Sequence, residues 1–125
     1  MPHETPRKTA LALSLGAVLA LPAAARAFEC PAPQAASGPG VLRETPAQIR
    51  GTADLLAGGD AGNRVPVIVA ELRRRHPGVR NAALVNYLVT AYCPVVARLS
   101  GLSDAEKRSR VDRFATQALH VVNRG

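Results

Sequence analysis

Between residues 45 and 122 apolar side chains return at intervals of three and four, and no useful length of chain alternates residue by residue. That period belongs to helices buried along one face. Thr45-Pro46-Ala47-Gln48 supplies an N-cap, a proline at the first helical position and a glutamine three residues after the cap. It predicts a helix running to Ala57, stopped by Gly58-Gly59, with Ile49, Ala53, Leu56 and Ala57 inward. The Gly-Gly-Asp-Ala-Gly-Asn stretch at 58–63 predicts a loop, since it completes neither a phosphate-binding nor a calcium-binding spacing. A second helix is expected from Val65 or Pro66 to Arg75. It would bury Val65, Ile68, Val69 and Leu72 and end at His76-Pro77-Gly78.

The third helix, expected over 81–100, is the most apolar. Leu84, Leu88, Ala91, Val95 and Leu99 form one stripe, and Val85, Val89, Tyr92 and Val96 form a second beside it. A helix apolar over that much of its girth belongs at the centre of a fold. Its remaining stripe, Asn86, Thr90, Cys93, Ala97 and Ser100, is small or polar and predicts the path of a covering segment. Pro94 removes the amide that would bond the Thr90 carbonyl, so a kink or a break is expected there. Ser103-Asp104-Ala105-Glu106 then opens a fourth helix reaching Val122. Val111, Phe114, Ala115, Ala118, Leu119 and Val122 face inward, and Arg108, Arg110, Arg113 and Gln117 face outward. Tyr87, Tyr92 and Phe114 read as core packing.

Ahead of residue 45 the pattern changes twice. Residues 28–44 hold Pro31, Pro33, Pro39 and Ser37-Gly38-Pro39-Gly40, the composition of an extended arm. Residues 1–27 read as an export signal. Arg7-Lys8 precedes an apolar run from Ala10 to Leu21 that is too short to span a bilayer, and Ala25-Arg26-Ala27 offers alanine at −3 and −1. Cleavage after Ala27 would leave a chain beginning at Phe28, periplasmic or secreted. Glu29 before Cys30 departs from a lipobox. An oxidising compartment pairs the two cysteines in the only way open to them, Cys30 with Cys93. The fold class expected is therefore all-α: a small four-helix domain over 45–125 with a proline-rich N-terminal arm tied by one disulfide.

Charge narrows the function classes. The full chain of 125 residues carries +7. Without the signal, thirteen basic and eight acidic residues remain, a surplus of five. In an exported protein this favours plain solubility or a partner, an unknown protein or an anionic envelope component. Nucleic acid is not expected, because the compartment lacks it and the aromatics of a stacking platform are missing. No membrane anchor is expected after cleavage. Arg73, Arg74 and Arg75 occupy the last turn of the second helix, where cations complement the helix dipole; with Arg80 they are the candidate anion or partner contacts.

Catalysis finds little to stand on. His76 and His120 are the only histidines after the signal, and both are expected to be exposed. With Cys30 and Cys93 they fill a zinc set by number but not by spacing. Cys-Pro occurs at 30–31 and 93–94, a dipeptide that ligates haem when its thiol is free, but no Cys-x-x-Cys-His motif accompanies it. Pairs drawn from Asp54, Asp60 and Glu71 have no distinctive spacing. No catalytic residue, cofactor or metal is assigned.

The stretch Ala83 to Ala97, Ala-Leu-Val-Asn-Tyr-Leu-Val-Thr-Ala-Tyr-Cys-Pro-Val-Val-Ala, followed by Leu102 to Arg108, resembles a group of small exported bacterial helical proteins with no assigned function. The resemblance implies export and a helical fold, and brings no site residues. In general design the chain is also similar to periplasmic acid-stress chaperones, which are small, helical and held by one disulfide, although its basic charge and cysteine spacing differ from theirs. The expectation is a non-enzymatic exported binding protein. Its alternatives are an envelope-stress chaperone and a small-ligand or haem carrier using the Pro94 kink.

Overall fold

The computed structural model describes residues 26–31 and 42–125. Residues 1–25 of the expected signal (1–27) and most of the proline-rich arm, 32–41, lie outside the described residues. Four helices form: α1 (Pro46–Ala57), α2 (Ala61–Arg75), α3 (Asn81–Ala97) and α4 (Asp104–Arg124). The all-α four-helix architecture is as the hydrophobic pattern predicts.

Two of the helices begin on reciprocal capping boxes. The Gln48 amide donates to Thr45 Oγ1 at 3.2 Å, and the Thr45 amide donates to Gln48 Oε1 at 2.7 Å. At α4 the Glu106 amide donates to Ser103 Oγ at 3.1 Å, and the Ser103 amide donates to Glu106 Oε2 at 2.6 Å. Each box satisfies two amides, one of the first turn and one of the cap itself. The α1 boundaries match the expectation, and α4 runs two residues past Val122.

α2 begins at Ala61, four residues before Val65, so the expected loop shrinks to 58–60. Local propensity loses here to packing. Ala61 lies against the core, and Gly62 comes so close to α4 that a Cβ would meet the Gln117 side-chain amide. Pro66 is consequently the sixth residue of the helix rather than its first, and it leaves the Gly62 carbonyl without a helical donor. The Arg64 amide donates to the Asp60 carbonyl, and Asn63 Nδ2 donates to Asp60 Oδ2 at 2.6 Å.

α3 continues through Pro94 and stops at Ala97, not at Ser100. No break into two helices occurs, because only three helical residues follow the proline and the orphaned carbonyl lies within the last two turns. The end is sealed by Lys107 Nζ, which reaches from α4 to donate to the Ala97 carbonyl at 2.9 Å.

In space the helices follow one another in the order α1, α3, α4, α2, and α2 closes back on α1. α3 touches all three others, as its girth of apolar residues requires. The core is Leu56, Val65, Ile68, Val69, Leu72, Leu84, Tyr87, Leu88, Ala91, Phe114, Ala118 and Val122. Each large side chain in it contributes about 1.5–3 kcal/mol by leaving water. The four positions predicted to be buried on α2 are all in it. Tyr92 stacks on Phe114 with ring centroids 4.0 Å apart.

Two inward assignments are corrected. Ala57 is exposed, and Thr52 is buried in its stead on α1. Leu119 is 48% exposed, because one residue past Ala118 the helix has turned toward solvent, and Val121 packs on the core from the other flank.

The disulfide joins Cys30 to Cys93, whose α-carbons lie 5.6 Å apart across 63 residues of sequence. Cys93 is 1% exposed. Asn86, Ala97 and Ser100 are exposed, so the described part of the arm does not lie along that stripe of α3. It crosses at Cys93. Just before the arm, the carbonyl of Arg26, within the expected signal, accepts from Arg108 Nη1 of α4 at 2.7 Å.

Candidate functional site: bound and free arginines

The three arginines that end α2 are built into the protein. Arg73 Nη2 donates to the Val122 carbonyl at 2.8 Å and to Asn81 Oδ1 at 3.1 Å, tying α2 to the last turn of α4 and the first of α3. Arg74 forms a bidentate pair with Glu71 one turn earlier on α2. Both partners are exposed, so the pair is screened and adds little stability. Its electrostatics are nevertheless visible: the hydrogen bond from Arg74 holds the Glu71 carboxyl below its ordinary value, and Glu71 raises Arg74.

Arg75 reaches furthest. Its Nη1 lies 3.1 Å from Glu44 Oε1 and 3.3 Å from Oε2, and His76 Nε2 lies 2.8 Å from Glu44 Oε1. The Glu44 side chain is 1% exposed, which makes it a carboxylate taken out of water and held by two groups from the end of α2. Placed just before the Thr45 cap, it fixes the entry of α1 against the exit of α2. His76 is half-buried in this contact, contrary to the expectation that it would be exposed; His120 is exposed. Arg80, the N-cap of α3, is exposed.

Behind this cluster, Thr52 Oγ1 and Tyr87 Oη share a buried hydrogen bond of 2.8 Å between α1 and α3. Burial pushes the Tyr87 phenol above its ordinary value. The Thr52 bond opposes that shift, the nearby charge of Glu44 adds to it, and Arg75 reduces it. Every buried side-chain nitrogen and oxygen among the described residues has a hydrogen-bond partner. A polar group left expectant, as a substrate site often keeps one, is not found there.

Both sulfurs are spent on each other, so neither serves as a thiolate for zinc or haem. His76, the C-cap of α2, is committed to Glu44, whereas His120 stands on α4.

The outer surface of α4 is different. Arg110, Arg113, Gln117, His120 and Arg124 follow at steps of three and four, which places them on one side of the helix, and all five are exposed. Among the described residues, no carboxylate lies within ion-pair distance of Arg110, Arg113 or Arg124. Glu106, one turn before Arg110, is held below its ordinary value chiefly by the Ser103 amide, with a smaller pull from Arg110. Beside this stripe an open groove runs along Ala105, Arg108, Ser109, Asp112, Arg113 and Thr116. Sequence reasoning placed Arg110 and Arg113 outward, ended the helix before Arg124, and singled out the α2 run. The feature that distinguishes α4 in the sequence is the scarcity of acids after Glu106, where Asp112 stands alone against five basic residues.

No helix among the described residues is long and apolar enough to cross a membrane. No protein-family model, curated protein or solved structure matches the chain.

Proposed function

We propose that this is an exported helical protein that works by binding an anionic partner of the cell envelope and catalyses no reaction. The observation that carries the reading is the disulfide between Cys30 and Cys93, a bond that persists where the surroundings are oxidising. It agrees with the export signal read over residues 1–27, whose cleavage is placed after Ala27. A binding role is supported by the way the polar groups divide. Those inside are mutually satisfied, and exposed arginines such as Arg110, Arg113 and Arg124 have no ion-pair partner among the described residues.

The test is fractionation of cells producing the full chain, followed by alkylation without reductant and intact-mass measurement. The reading expects a chain beginning at Phe28, no alkylated thiol, and an envelope association released by raised salt. A retained leader with two alkylated thiols would overturn it.

A further inference from the structure

We infer that the α4 stripe of Arg110, Arg113 and Arg124 is a docking surface for an anionic lipid bilayer. This inference rests on the reading of the protein as an envelope-binding protein and names its surface. The stripe runs straight along a rigid helix. At 1.5 Å of rise per residue, Arg110 and Arg124 lie about 21 Å apart, with Arg113 between them. Gln117 and His120 fill the remaining positions, so no acid interrupts the row from Arg110 to Arg124. The row borders the first turn of α2 at its middle, where the Gln117 side-chain amide lies against Gly62, and its exposed cations on either side can meet a plane of headgroup phosphates.

Charge complementarity separates this face from the end of α2, and its regular row separates it from other exposed arginines, Arg43, Arg50, Arg64, Arg80 and Arg98, which are scattered over α1, α2 and the loops. Arg73, Arg74 and Arg75 already donate to Val122, Asn81, Glu71 and Glu44, so they could turn to an external anion only by breaking those bonds. Arg110, Arg113 and Arg124 break no such bond among the described residues. Guanidinium groups form paired hydrogen bonds to phosphate oxygens, which suits arginine over lysine for this contact. The stripe carries no large apolar side chain, so attachment is electrostatic and peripheral, without insertion.

The test is co-sedimentation of the disulfide-bonded protein with vesicles of phosphatidylglycerol and phosphatidylcholine, against phosphatidylcholine alone. Binding is expected only to the first and is expected to fall as salt is raised. Arg110→Gln/Arg113→Gln/Arg124→Gln should weaken it about a hundredfold, each arginine near an anionic surface being worth about a factor of five. The same positions changed to lysine should keep most of the binding. Arg43→Gln/Arg50→Gln/Arg98→Gln removes equal charge from exposed positions off α4 and should bind close to wild type.

Equal loss in the two glutamine triples would overturn the inference by showing that net charge alone acts. So would a lysine triple as weak as the glutamine triple. A wild-type protein that ignores these vesicles but leaves the envelope on raised salt would also overturn it, while the proposed function would stand with an acidic protein as partner.

Discussion

Two clusters of arginine, at the end of α2 and along α4, are made of the same residue and stand in opposite surroundings. At the end of α2, Arg75 and His76 meet a carboxylate that is 1% exposed, and Arg73 bonds a backbone carbonyl at the end of another helix. Along α4, Arg110, Arg113 and Arg124 have no carboxylate within ion-pair distance among the described residues. What separates them is the placement of Glu44, Glu71 and Val122 once the helices pack. A buried charge costs several kcal/mol unless it is paired, so Glu44 obliges the α2 cations to stay where they are. An exposed arginine has no such obligation and is available to a partner. The lesson is that a run of like charges is structural or functional according to what the fold brings opposite it.

The largest effect is expected from removing the covalent tie that holds the arm across the bundle. Cys30→Ser/Cys93→Ser should lose about 4 kcal/mol of stability by the chain-entropy estimate for a loop of this length, read as the midpoint of chemical denaturation. Vesicle binding at low temperature should survive, since the α4 stripe does not depend on the sulfur bond. An unchanged midpoint would refute the bond's role as a staple.

Next comes the buried carboxylate. Glu44→Gln keeps the shape but removes the charge facing Arg75 and His76, and should cost about 1–3 kcal/mol without weakening vesicle binding. Stability equal to wild type would erase the distinction between the two arginine clusters from its structural side.

Tyr87→Phe removes the bond to Thr52 and strands a buried hydroxyl, for about 1 kcal/mol. The same phenol sets a pH dependence. Its value in the folded protein is raised, so its contribution is fully present below the ordinary value of 10.0 and is lost as pH rises beyond it. The alkaline decline should be shallower in Tyr87→Phe, and identical alkaline profiles would contradict the assignment.

The smallest effect concerns the first turn of α4. The Glu106 carboxyl is held below 4.5, so the support it gives Ser103 is present above that value and is lost as pH falls through the lowered one. Amide exchange over residues 104–107 should quicken in that acid range, while the end of α2 is unaffected. Exchange that does not change across it would remove the capping box from the account.

Much of this fold is legible in the sequence, and the reason is local. Thr45 with Gln48 and Ser103 with Glu106 announce helix starts because each box is completed within four residues. Val65, Ile68, Val69 and Leu72 announce a buried face because a helix repeats itself. The pairing of Cys30 with Cys93 follows from their number. The start of α2 at Ala61 is not legible, because it depends on the approach of Gly62 to Gln117, 55 positions away. The burial of Glu44 depends likewise on a meeting with residues 31 and 32 positions further along the chain. The free stripe on α4 has a regular spacing that is easy to read. Its freedom is a property of everything else in the molecule, which is why the adjacent arginines of α2 drew attention first.

The most direct measurement is thermal unfolding of Arg73→Gln/Arg75→Gln beside Arg113→Gln/Arg124→Gln, two variants with equal loss of charge. The first should melt roughly 10 °C below wild type, following about 2 kcal/mol of lost pairing in a domain of this size. The second should melt with wild type. Equal melting of the two variants, or a larger drop in the second, would contradict the division between bound and free arginines.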